Sequence, residues 1–120
     1  MTARLYKAFL AAGVDNIQGY DCVLVSLDGS RRLEGFKAVN IVGLVSMASP
    51  DTKFLAEFPS GSIDAHIIEM NPDESEARGL DLFRLAEMVG VVVVSERLKK
   101  HLESYKFPYL IFQPIASLVT

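Results

Sequence analysis

The most regular alternation of apolar and polar positions lies in the last third of the chain. Leu80–Leu85 is a short apolar run. After Gly90, the four β-branched residues Val91–Val94 predict a strand, because side chains stiff at χ1 suit a pleated surface. Ser95 offers an N-cap hydroxyl, and Glu96 falls in the first helical turn, where the helix dipole favours negative charge. Leu98 and Leu102 are four apart and share one face, leaving Lys99, Lys100 and His101 toward solvent. Pro108 stops the helix, and Tyr109–Ile115 resumes as a strand. The unit reads strand, strand, helix, strand.

Upstream, Thr2–Ala12 has a helical period, with Leu5, Ala8, Phe9 and Ala12 on one face, Thr2 as cap and Gly13 as terminator. Tyr20–Leu27 predicts a strand with apolar residues on both faces, and Asp28-Gly29 a hairpin-type return through a loop of more than two residues. Phe36–Met47 is the longest strand candidate. Apolar on both faces, it belongs in the middle of a sheet, with Gly43 marking a close approach by a neighbour. Lys53–Phe58 reads as a short helical turn or irregular strand, and Ile63–Met70 as a strand. Asn71–Gly79 reads as a solvated loop with room for one helical turn. The expected fold is a single α+β domain over residues 1–120, with a mostly antiparallel sheet and two short helices. Phe36–Met47 and Val91–Val94 are its expected central strands.

Composition changes this picture in two ways. Half of the 120 residues are hydrophobic and mean hydropathy is +0.26, more than a small two-faced sheet can hide. That favours a surface for a partner or for a homodimer. The net charge of −3 argues against nucleic acid, and no basic stripe opposes that reading. Charge is uneven: residues 63–87 hold seven acidic side chains against two arginines. There is no apolar run of signal-peptide type and none near the ~20 residues of a membrane span, so the expected location is the cytoplasm, without membrane attachment.

Candidate chemistry is sparse. Cys22 is the single cysteine, expected as a small buried hydrophobe in mid-strand, and His66 and His101 are the only histidines, His101 on the wet side of its helix. Neither a metal site nor a cofactor is expected, since ligand pairs and glycine-rich phosphate loops are both missing. Asn40 is a polar amide in an apolar strand, suited to a bulge or edge. Arg84 could pair with a carboxylate or point outward. No catalytic residues are assigned, and the chain is expected not to be an enzyme.

The order LDLFRL, VVVVSERLKKHLE, LIFQPI resembles the C-terminal signature of a bacterial polymorphic-toxin immunity family (immunity family eleven, formerly a domain of unknown function). Leu82, Phe83, Arg84, Ser95, Glu96, Arg97, Leu98, Lys99, Leu102, Phe112 and Pro114 occupy the matching places. VDNIQ and KAVNIVG resemble its middle, so the likeness runs from about Val14 to Ile115. Members carry further sequence before the DNIQ-like segment, so the likeness implies a chain without the family's N-terminal part. It implies a non-enzymatic immunity protein that binds and neutralises a cognate toxin domain. The alternative is an oligomeric structural or ligand-binding module with no toxin partner. For the toxin-bound case, the acidic residues Asp73, Glu74, Glu76 and Asp81 are the expected partner-binding set, steering a basic toxin surface toward the protein.

Overall fold

The computed structural model describes residues 1–55 and 66–119. Helix α1 (Ala3–Ala11) starts where the Leu5 amide donates to Thr2 Oγ1 at 3.2 Å, and ends at Gly13, whose φ of +87° suits a residue without Cβ. Strands β1 (Ile17–Val25) and β2 (Arg32–Ile41) form an antiparallel hairpin. Its loop is set by Asp28, which accepts from the Ser30 amide and from the Ser26 and Ser30 hydroxyls at 2.7–3.0 Å. These bonds hold its carboxyl down to about 2, the Ser30 amide contributing most. Near the middle of the hairpin the register shifts, Cys22 facing Phe36 and Leu24 facing Leu33. The extra β2 residue is accommodated by Gly35 at φ +80°.

The second sheet has the order β3-β6-β7: β3 (Leu44–Val45) runs parallel to β6 (Leu82–Leu85), which pairs antiparallel with β7 (Met88–Val94). A small antiparallel pair, β4 (Lys53–Phe54) and β5 (Ile67–Glu69), completes the strands. The Leu98 amide donates to Ser95 Oγ at 3.1 Å to open α2 (Glu96–Glu103). Asp73 caps a short 3-10 turn over Glu74–Ala77. The molecule is thus an α+β domain with two short helices and mostly antiparallel sheets.

β6 is the hub. Adjacent strand residues point to opposite faces, so Leu82 joins one core and Phe83 another, and both are essentially inaccessible to solvent. The first core gathers Ala8, Phe9 and Ala12 of α1, Ile17 and Ile41 at the hairpin base, and Leu98 and Leu102 of α2. The second gathers Met47, Ile67, Met70, Phe83 and Leu85. Asn16 ties the hairpin to β6: its Nδ2 donates to the carbonyls of Val42 (3.0 Å) and Leu82 (2.8 Å), and its own carbonyl accepts from the Val42 amide at 2.8 Å.

Several expectations are corrected. Phe36–Met47 is not one central strand. It breaks after Ile41, its halves enter different sheets, and β2 belongs to a two-stranded ribbon. Among the described residues β7 is an edge strand, and the strand covered on both faces is β6. The expected close approach at Gly43 is present, since a Cβ there would lie 3.3 Å from Asn16 Nδ2 and 3.4 Å from Phe83 Cβ. Tyr109–Ile115 forms no strand and leads into a 3-10 turn over Ile115–Ser117. Of Ile63–Met70, only Ile67–Glu69 is strand among the described residues. Residues 63–65, and 56–58 of the Lys53–Phe58 segment, lie outside them.

Candidate functional site

A broad cleft is lined by β7 and the C-terminal stretch. Four consecutive residues, Val91–Val94, form one wall. With four in a row, it is the edge of β7 as well as one face that borders the space. The facing wall is the C-terminal stretch from Ile111 to Leu118, and Met47 and Phe83 lie at the floor. The cleft holds about 890 Å³ and is mostly apolar, with Glu74, Glu96 and Lys99 among its lining residues. Val92 and Ile111 are well exposed in it. Beyond Lys99 it continues into a smaller depression of about 480 Å³ between Leu102, Phe107 and Leu110.

The acidic residues divide by what they touch. Asp81 is engaged inside the fold: Arg97 grips both carboxylate oxygens at 2.6 and 3.2 Å, and Ser95 Oγ donates at 2.5 Å. Arg97, followed by Ser95, holds the Asp81 carboxyl below the ordinary aspartate range. Arg97 also donates to the Ala12 carbonyl at 2.9 Å, so this cluster joins the end of α1, the entry to β6 and the start of α2. Asp73 accepts from the Ser75 amide and hydroxyl at 3.1 and 2.6 Å. Glu87 accepts from Ser46 Oγ (2.5 Å) and the Ala48 amide (3.0 Å), and Glu69 pairs with Lys53 at 3.2 Å. Glu74 and Glu76 remain exposed on the 3-10 turn, Glu74 at the cleft. Of the four residues expected at a partner surface, the structure therefore brings only Glu74 to the cleft, and places Asp81 in a structural tie.

The remaining candidates are dispersed. Cys22 is half-buried on the hairpin and belongs to neither core. His101 is half-buried against Tyr105, ring centroids 5.3 Å apart, and not on the wet side of α2. Tyr105 in turn stacks on Phe107. Asn40 donates to Gln18 Oε1 at 3.2 Å across the hairpin, a structural use. Arg84 is half-buried, and among the described residues its Nε makes no hydrogen bond. Among the described residues no three His, Cys, Asp or Glu side chains converge as metal ligands, and no helix is long and apolar enough to cross a membrane. The cleft was missed in the sequence because Tyr109–Ile115 has a strand's composition. The two prolines that bracket its apolar core, Pro108 and Pro114, were the signal that it would not pair along its length.

No family model matches this chain, and no curated protein matches it. The likeness to the immunity family therefore rests on the short motifs quoted above.

Proposed function

We propose that this chain is a non-enzymatic binding protein whose cleft takes an extended segment of a partner protein. The observation that carries this reading is the cleft itself, bounded by the edge of β7 with Glu74 and Glu96 among its lining residues. An edge strand presents backbone donors and acceptors that an added strand can satisfy, while apolar walls accept alternate side chains. Acidic side chains at the same opening favour a segment carrying Lys or Arg. The motif likeness supports a bacterial toxin domain as that partner, bound and neutralised in the cytoplasm.

The test is survival of cells that co-express this chain with a modular toxin encoded beside its gene. Protection by the parent, lost on Val92→Lys and weakened by Glu74→Lys/Glu76→Lys, is the expected result. Val92→Lys protecting as well as the parent would remove the cleft from the function. A reproducible turnover in purified protein, abolished by Cys22→Ala, His66→Ala or His101→Ala, would overturn the non-enzymatic reading.

A further inference from the structure

One basic side chain is half-buried with no carboxylate beside it among the described residues. Lys37 and Lys99 are half-buried too, and each meets a carboxylate, that of Asp21 and that of Glu103. Arg84 meets none. The two acidic residues nearest to it along the chain are engaged elsewhere, Asp81 by Arg97 and Ser95, Glu87 by Ser46 and the Ala48 amide. The Arg84 Nε is shut off from solvent without an acceptor, while its terminal nitrogens reach the surface, also without a partner among the described residues. Strand register puts Arg84 at the centre of a row. Leu44 of β3 lies on one side and Val92 of β7 on the other, so the three side chains share a face. Toward Leu82 and Val94 that face is covered by the first core. At the level of Arg84 it is open. Leu44 and Val92 are 56% and 48% exposed and belong to neither core, and a Cβ on Gly90, two residues before Val92, would meet nothing within 4 Å.

We infer that Arg84 is a docking point for a carboxylate of a partner protein, an Asp or Glu side chain with apolar neighbours, seated between Leu44 and Val92. A planar guanidinium offers two parallel donors to the two oxygens of a carboxylate. This chain already uses that fork where Arg97 grips both oxygens of Asp81. Two observations select the occupant. The first is the unmatched charge: an arginine held half-buried, with an N–H that lacks an acceptor, carries a cost that a facing carboxylate offsets. The second is the pair of exposed aliphatic side chains beside it, which exclude water from such a contact and so strengthen it. Those flanks favour a carboxylate borne on a polypeptide, whose neighbouring side chains cover Leu44 and Val92, over a small hydrated anion. Val92 also borders the cleft, but Leu44 and Arg84 do not line it. The contact therefore does not rest on what the cleft holds.

The test is a titration of the full chain with the capped tripeptide acetyl-Val-Glu-Val-amide, followed by nuclear magnetic resonance at the Arg84 Nε. Its signal is assigned by its loss in Arg84→Gln. A saturable shift at about millimolar peptide is expected, and binding at least about tenfold weaker for the otherwise identical Gln peptide. Inorganic phosphate at the same concentration should move the signal less than the Glu peptide does. Followed at the Val92 amide, Arg84→Gln should bind the Glu peptide at least about tenfold more weakly, with an unchanged far-ultraviolet dichroism spectrum. Arg84→Lys, which keeps the charge without the fork, should also bind it more weakly than the parent. An Arg84 signal in the parent that does not respond to the Glu peptide would overturn the inference, whatever the variants do. Equal binding of the Glu and Gln peptides would overturn it as well, by reducing the row to an apolar contact. Phosphate matching the Glu peptide would reduce Arg84 to a general anion point, and Arg84→Gln binding as the parent does would remove it from the contact.

Discussion

Replacing Asn16 should loosen the whole hairpin from the body of the protein. Its side chain is the polar link between the hairpin and β6, through two donated hydrogen bonds of 3.0 and 2.8 Å. The bond to Leu82 is partly shielded from water and the bond to Val42 is exposed, so about 1 and 0.5 kcal/mol are reasonable shares. Asn16→Ala should then cost about 1.5 kcal/mol. Asn16→Asp keeps the shape but removes both donated protons and turns a carboxylate toward two carbonyl oxygens, so about 2–3 kcal/mol is expected. With a urea slope near 2 kcal/mol per molar, the midpoint should fall by about 1 M for Asn16→Asp and by less for Asn16→Ala. Amide exchange supplies a local check. The Val42 amide donates to the Asn16 carbonyl, and the Arg84 amide to the Gly43 carbonyl, both at 2.8 Å. Val42 should lose protection in Asn16→Asp before Arg84 does. An Asn16→Asp protein as stable as the parent, with Val42 still protected, would refute the idea that this amide holds the two sheets together.

Three further outcomes follow from the packing and the ion pairs. Leu98→Ala or Leu102→Ala, each removing a side chain wholly inside the first core, should lower stability by about 2–5 kcal/mol in denaturant titrations. Gly19→Ala should cost about 1–2 kcal/mol, because the new methyl collides with the Tyr6 ring, and the loss should vanish in a Tyr6→Leu background. Asp81→Asn should cost about 1–2 kcal/mol near neutral pH. Its carboxyl titrates below the ordinary aspartate value, so its contribution is complete above about pH 4 and fades as pH falls through the depressed value. Urea midpoints of parent and variant should therefore converge on acidification; a gap that widened toward low pH would contradict the Asp81–Arg97 tie.

What could be read from the sequence was the part decided locally. Thr2 and Ser95 cap the helices because each hydroxyl meets an amide three residues away, and that needs no knowledge of the rest of the chain. The α2 face was legible for the same reason, since Leu98 and Leu102 are fixed by helical spacing. The Asp28-Gly29 return was legible as well, because the aspartate organises its own loop. The fate of the acidic residues was not legible. Asp73, Asp81 and Glu87 look alike as charges in a polar stretch. Their separate roles come from Ser75, from Arg97 and Ser95, and from the backbone at Ala48. For Asp81 and Glu87 those partners lie from fourteen to thirty-nine residues away.

The long apolar segment Phe36–Met47 shows why hydrophobicity on both faces did not mean a central strand. Such a pattern says that each face meets something apolar, and a strand buried between two layers is only one way to satisfy it. Here the Val42 amide makes one last rung to the backbone carbonyl of Asn16, the Asn16 side chain takes the Val42 carbonyl, and the chain then leaves the hairpin and starts again at Leu44 beside β6. Ile41 then serves the first core and Met47 the second, while Phe36 and Ala38 stay on a ribbon face with no covering element in the described molecule. The high apolar content is therefore divided among two small cores, a cleft and one bare face. The first two account for stability within a single chain. The last two stay open among the described residues and lie on different sheets, so a partner seated on one leaves the other accessible.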